Sequence, residues 1–334
     1  MPTILTNDQI LARLDAALKS ITVGTLADSV LSEVKFNQFV RAMQHRTAIL
    51  QEARFMRMDA QQVDIDRIAF TGRVLTAGVA ADESVVGTET SVAPSTNTNK
   101  LIAKELRALT GLSDRALRRN IERGNLESTL VDLFGEAAGR DFEEWGLLAD
   151  TDYSDATDIL SLTDGWLQLA GNAVYGDGAG ADFDVTADTY PENLFEAMLA
   201  ALPKQYLQDR GDWRFWVPWE TENAYRDILK ARGTALGDQA QTSAAPLVYK
   251  GIPVVYCPML ERSAAYPTGA GDVALLGYPD NMVWGVFQEV TIERDRVAKS
   301  RKTDFVLTIE CDANYEDEDA AVAAFYGQET PAGS

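Results

Sequence analysis

The sequence predicts an α+β fold, and three features of it carry that expectation. A long amphipathic stripe between residues 126 and 145 repeats at helical spacing. Strand-like apolar runs crowd into the last third of the chain and are spaced as antiparallel pairs. Between the early strands and the long stripe lies "AGVAADESVVGTETSVAPSTNTN", residues 77–99, which has no helical period and almost nothing large enough to fill a core.

Taken in order, Thr6 followed by Gln9 reads as a helix cap ahead of Ile10, Leu11, Leu14, Leu18 and Ile21. Phe36, Phe39, Val40 and Met43 suggest a second short helix. Strands are expected at 55–58 and 63–70, the latter with one shift of alternation, as a bulge would give. Past the loop the chain turns amphipathic, with a short helix near 114–120 and a break at Gly124. Asn125 can cap the long helix, whose stripe is Leu126, Leu130, Leu133, Phe134, Ala137, Ala138, Phe142 and Trp145. Residues 150–188 read as acidic, glycine-bearing loops. A helix starts at Tyr190 with Pro191 early, where its missing N–H does no harm, and buries Leu194, Met198, Leu199 and Leu202. "DWRFWVPW" is a strand with Trp213, Phe215 and Val217 on one face. Residues 221–231 form a helix ended by Gly233, and strands follow at 246–249, 252–257, 273–276, 282–287, 290–297 and 304–312.

Composition narrows the function. The chain has 334 residues, 46% of them hydrophobic and 24% charged, which suits a folded body of one elaborate domain or two. No apolar run reaches the ~18 residues of a membrane span, so no membrane role is expected. The formal charge of −21 repels nucleic acid at long range and argues against a duplex-gripping protein. Basic residues nevertheless cluster at Arg294, Arg296, Lys299, Arg301 and Lys302, and again at Lys100, Lys104, Arg107, Arg115, Arg118, Arg119 and Arg123. Either group is a solvated face or a partner-facing one.

A catalytic apparatus is hard to assemble from these residues. His45 is the only histidine, which removes a histidine-rich zinc site and leaves one residue for any Ser-His-Asp arrangement. Cys257 and Cys311 lie in apolar strand-like runs and read as small buried hydrophobes. "GDGAG" at 176–180 and "TGAGD" at 268–272 are turns, without the strand-to-helix setting of a phosphate loop. "DTDYSDATD" lacks the glycine and closing glutamate of a calcium loop and reads as solvated, as does the end of "CDANYEDEDA". We therefore expect no enzyme, no catalytic residue, no metal and no cofactor.

A connection of this length inside a folded chain has a job or is disordered. Val79, Val85, Val86 and Val92, with the threonines among them, can form an extended hairpin turning near Gly87 or Pro94. Two strands alone are marginal, so such a hairpin needs another surface, and its side chains are too small for a core of its own. A neighbouring copy supplies that surface. The N-terminal helix, with its single apolar stripe, makes the same demand, and two extensions from one body imply a protein that tiles.

From about residue 36 to 325 the order of segments resembles the major capsid proteins of tailed double-stranded DNA bacteriophages, the Hong Kong 97-like fold. "SDRALRRNIERGNLESTLVDLFGEAAGRDFEEWGLLADTD" is similar to the approach to that family's spine helix. "LFEAMLAALPKQYLQDRGDWRFWVPWETENAYRDILKARG" and "APLVYKGIPVVYCPML" resemble its axial domain. "DVALLGYPDNMVWGVFQEVTIERD" and "TDFVLTIECDANYEDEDAAVAAF" resemble its closing strands. The resemblance implies an N-terminal arm at 1–35, a peripheral domain beginning at 36–67, an extended E-loop at 68–101, and the peripheral domain with its spine helix at 102–160. An axial domain at 161–280 and peripheral return strands at 281–334 complete the division.

It further implies a head protein that self-assembles into the pentamers and hexamers of an icosahedral shell, enclosing double-stranded DNA without sequence-specific binding. Its partners are many copies of itself, with a portal and a separate scaffolding protein, because only some 35 residues precede the resemblance; a separate decoration protein is compatible with it. The E-loop valines Val79, Val85, Val86 and Val92 and the basic group Arg294, Arg296, Lys299, Arg301 and Lys302 are the expected intersubunit contacts. Some family members join a loop lysine covalently to a neighbour; residues 77–99 hold no lysine and Lys100 stands only at the base, so no such link is expected. A tail-tube or other virion subunit is the nearer alternative, and a carboxylate-dependent hydrolase the distant one.

Overall fold

The computed structural model describes residues 48–69, 95–113, 126–152, 158–176, 180–187, 189–232, 247–265, 272–287, 291–297 and 299–326. The N-terminal helix, the 36–43 pattern, His45, the loop valines, the 114–120 helix, the Asn125 cap and Gly233 lie outside them.

Strand β1 (Arg54–Met58) starts a body sheet and runs parallel to β10 (Met282–Phe287). Strands β2 (Gln62–Ala69) and β3 (Ser95–Ile102) pair only with each other, antiparallel, as a ribbon. Strand β4 (Lys104–Ser113) then joins β12 (Lys302–Tyr315) along ten pairs. Helix α1 (Leu126–Leu148) follows, then a short helix α2 (Trp166–Leu169), β5 (Asn172–Tyr175), α3 (Glu192–Ala201), β6 (Arg214–Val217) and α4 (Trp219–Ala231). Strands β7 (Leu247–Tyr249), β8 (Ile252–Tyr256) and β9 (Asp272–Gly277) precede β10; β11 (Thr291–Val297), β12 and β13 (Ala321–Tyr326) close the described chain.

Two sheets organise the molecule. The body sheet has the order β1-β10-β12-β11, with β4 on the other edge of β12. Strands β10 and β11 lie end to end along β12, both antiparallel to it. The second sheet has the order β5-β13-β9-β6-β8-β7. It divides the two main cores. Phe215, Val217, Ala274, Leu276, Val322 and Ala324 point to one, against Leu194, Phe195 and Met198 of α3 and Tyr225 and Leu229 of α4. Trp216, Val273, Leu275, Ala321 and Ala323 point to the other, against Phe142 and Trp145 of α1 and Trp284, Leu307 and Ile309 of the body sheet. Strand alternation on β6 thus puts aromatic side chains on both faces, each fully buried ring contributing roughly 1.5–3 kcal/mol.

Several expectations hold in detail. The alternation of Trp213, Phe215 and Val217 is as read, and all three share one core. Phe142 and Trp145 anchor α1, while Ala137 and Ala138 are half-buried. Cys257 and Cys311 are buried and free.

Others need correction. Residues 95–99, part of the stretch expected to form an extended hairpin of its own, are strand but pair with Ile65 to Ala69 of β2. Residues 104–113 were given only as amphipathic sequence, yet form β4; lysine, glutamate, leucine, arginine and alanine favour helix locally, and the ten-pair ladder to β12 overrides that preference. Within 150–188, read as loops, lie α2 and β5, and Asp150 is buried rather than solvated, accepting from Gln168 Nε2 at 2.8 Å and the Asp152 amide at 2.8 Å. The end of "CDANYEDEDA" is not an exposed turn either: strand continues to Tyr315, and Asp317 is buried, its amide donating to Asn281 Oδ1 at 2.7 Å. Pro191 stands at the N-cap of α3 rather than inside it, after a cis Tyr190–Pro191 bond.

Candidate assembly surfaces

Burial on the ribbon follows strand alternation at its root. Ile65 and Leu101 are buried, Val63 is half-buried, and Asp64 and Asp66 are exposed. With Met58 and Val283 the two buried side chains make a small separate core beneath the ribbon. Gly285 creates the room for it: a Cβ there would lie 2.7 Å from Met58 Sδ and 3.1 Å from Leu101 Cδ1. Two side chains at the end of β12 hold the ribbon backbone, and one on β3 reaches back to β12. Asp312 Oδ2 accepts from the Ile102 amide at 2.6 Å, Asn314 Nδ2 donates to the Lys100 carbonyl at 3.0 Å, and Asn99 Nδ2 donates back to the Tyr315 carbonyl at 2.8 Å.

Farther along β2, Arg67 forms an ion pair with Asp317, which also accepts from Tyr206 Oη at 2.6 Å. Arg54 pairs with Glu316 at 2.7 Å on the same side. These groups line a cleft of about 450 Å³ where the ribbon, the body sheet and the Tyr206 and Asn281 turns meet. Burial and the hydrogen bond to Asp317 push the Tyr206 phenol up, so it stays a donor at neutral pH. The ribbon therefore has a fixed root, and its last described pairs, Ile68↔Thr96 and Ala69↔Ser95, have no third strand beside them among the described residues.

The opposite end of the body sheet is a three-stranded tongue of β4, β12 and β11. One face carries buried Phe305, Leu307 and Ile309, the last two in the same core as Phe142 and Trp145 of α1. The other carries Leu109, 69% exposed, beside half-buried Val306. The tongue ends in the turn after Val297, where Lys299 and Arg301 are exposed and Arg301 adopts φ +49°. Arg296 is exposed, and Lys302 Nζ pairs with Asp304 at 2.8 Å. The structure thus gathers four of the five predicted basic residues at one tip and places Arg294 in β11 just behind it. At ~3.3 Å per residue, the 14 residues of β12 put that tip about 45 Å along the strand from Tyr315.

Among the described residues no group of histidine, cysteine, aspartate and glutamate side chains is arranged to hold a metal ion. Burial pushes the Cys257 thiol up to about 12 and the Cys311 thiol well above its usual range. The carboxylates at the ribbon root, Asp312 and Asp317, were missed in the sequence. The available signal, for Asp312 alone, was its place directly after a run with an apolar residue at every second position from Phe305 to Cys311.

No family model matches the chain. It is 29% identical over 321 residues, 94% of its length and 96% of the relative's, to "Putative prophage capsid protein YqbE" of Bacillus subtilis (strain 168). Among solved structures, the capsid of an empty GTA particle superposes with a TM-score of 0.58 at 16% identity, covering 84% of this chain and 90% of that one. The satellite phage P4 procapsid gives 0.57 at 13% identity, covering 97% and 99%, and Mycobacterium phage Bobi gives 0.55 at 14%, covering 84% and 90%. The fold is that of phage capsid subunits. Its capsid fold and its similarity to a prophage capsid protein along nearly its whole length make the chain a shell-forming structural protein.

Proposed function

We propose that the chain is the major head protein of a tailed phage, whose copies close as pentamers and hexamers into an icosahedral shell around double-stranded DNA. In this reading the β2–β3 ribbon is the base of a Hong Kong 97-like E-loop and α1 is the spine helix. The body sheet is the peripheral domain, the six-stranded sheet the axial domain, and residues 1–35 an arm toward a neighbour. The ribbon carries the argument. Its root is packed on its own body, but its outer pairs belong to a two-stranded sheet with no third strand among the described residues. Two strands alone are marginal in water, so a second copy is the natural source of the missing surface.

The tongue supports the same reading. Its basic tip stands far from the six-stranded sheet of its own chain, in a protein of net charge −21, where a basic tip finds acidic partners on any sister subunit. The acidic balance also suits an inner wall that repels packed DNA rather than trapping it. A scaffolding protein, a portal and a decoration protein are the further partners of such a shell.

Electron microscopy of the expressed chain, alone and with the products of the genes beside its own, tests the proposal. Closed heads or capsomer rings support it. Tubes would favour the tail-tube alternative, and a persistent monomer under all conditions would overturn both.

A further inference from the structure

The ribbon meets the body at one strand fork. The β4–β12 ladder ends with the pair Lys104↔Cys311, and the next residue of β12, Asp312, pairs on its other edge with Gly285 of β10. Beyond Lys104 the chain no longer follows β12: Ala103 donates its amide to the Gln61 carbonyl, and Ile102 starts the ribbon. A backbone acceptor is thus missing opposite Ile102, and the Asp312 carboxylate replaces it at 2.6 Å. It does so from a closed position. The residue is 5% exposed, and Oδ1 is buried with no hydrogen-bond partner. A carboxylate seated there has lost water on one oxygen without a full hydrogen bond in return.

We propose that Asp312 is a charge-loaded hinge pin: ionised, it biases the ribbon root toward opening, and protonated, it holds the root shut. An ionised carboxylate regains its hydration when the root opens, whereas a neutral one has far less to gain. By strand register the charged residues nearest it are Lys104 on β4, Lys100 on β3, Arg57 on β1 and Glu310 on β12; Glu105 and Arg107 on β4, Arg54 on β1, and Lys302 and Asp304 on β12 lie farther along, and β10 carries no ionisable residue. Arg57 lies one pair along, level with Cys311, on the opposite face of the sheet. Of these only Lys104 lowers the Asp312 pKa, and with the amides of Ile102 and Ala313 it fails to offset burial, which pushes the carboxyl up to about 6.

The direction follows from proton linkage. The closed root holds the proton more tightly than the open, solvated one, so closing takes up a proton and acid favours the closed form. Stability of the closed root is fully present below the ordinary carboxyl value of 3.8, falls as pH rises toward about 6, and levels off above that. The device needs no second copy of the chain, so its test stands apart from the shell reading.

Amide hydrogen exchange of the full chain reads it directly. After correction for intrinsic exchange chemistry, the opening constant at the Ile102 amide is expected to rise roughly tenfold between about pH 5 and about pH 7.5. The Val322 and Ala324 amides in the centre of the six-stranded sheet serve as references and should stay flat. In Asp312→Asn the Ile102 amide keeps an acceptor that cannot ionise, and the rise should vanish. A flat Ile102 profile in the natural chain overturns the proposal, and so does a rise that survives in Asp312→Asn. Should that variant fail to fold, the profile of the natural chain alone decides.

Discussion

Substituting Gly285 tests how tightly the ribbon root is packed. A methyl group there would sit 2.7 Å from Met58 Sδ and 3.1 Å from both Met58 Cγ and Leu101 Cδ1. Unstrained carbon contacts lie near 3.5–4.0 Å, so the overlap with sulfur is about an ångström. Met58 and Leu101 are fully buried and cannot swing into solvent. Overpacking of this kind costs ~1–3 kcal/mol, and replacing a strand glycine returns roughly 0.5–1 kcal/mol of backbone entropy, leaving a net loss of about 1–2 kcal/mol for Gly285→Ala. Met58→Ala alone should cost ~2–5 kcal/mol by emptying the site. In that background the new methyl meets space instead of sulfur, so Gly285→Ala should become neutral or favourable. The coupling energy, about 1 kcal/mol or more, is read from urea midpoints of the four chains followed by tryptophan emission. An equal cost of Gly285→Ala in both backgrounds would refute the packing argument, whatever its size.

The remaining expectations concern other parts of the molecule. Reversing Arg301 and Lys302 to glutamate should block head assembly and leave the circular dichroism spectrum of the monomer unchanged; normal heads from that variant would remove the basic tip from the contacts. Cys257 and Cys311 are fully buried, with thiols that resist ionisation, so a thiol reagent near neutral pH should label neither until denaturant is added. Gly165→Ala should be more damaging than Gly285→Ala, because its Cβ would meet backbone, 2.8 Å from the carbonyl oxygens of both Gly146 and Leu147. Soluble expression at the natural level would contradict that.

The parts of the fold that were legible in the sequence are those where local pattern and tertiary packing agree. The late strands, the α3 stripe and the alternation of Trp213, Phe215 and Val217 could be read because burial repeats at the period of the element. Strand β4 could not. Its residues favour helix, and only β12, about two hundred positions later, makes them a strand. The ribbon was half legible: residues 63–70 read as strand, but the pairing of Gln62–Ala69 with Ser95–Ile102 is fixed by the root core and not by local sequence. Asp150, Asp312 and Asp317 were lost in the general acidity. Apart from the apolar alternation that leads up to Asp312, nothing in a chain with 51 acidic residues marks the few that face inward, because burial of a carboxylate depends on amides and side chains brought from elsewhere.

The six-stranded sheet has apolar side chains on both faces, and this bears on how its strands find their alignment. In a half-wetted sheet a one-residue slip exposes oily groups and is punished at once. Here a slip of β6 against β9 would exchange one greasy surface for another, so polarity offers no correction. Bulk must supply it: Gly277 leaves a notch that admits the Trp216 ring at 3.2 Å from its would-be Cβ, and Ala274, the next smallest residue of β9, faces the other core. The strands of this wall are keyed like a lock, by the shape of one indole, and a protein made in many copies gains from a key that admits a single alignment.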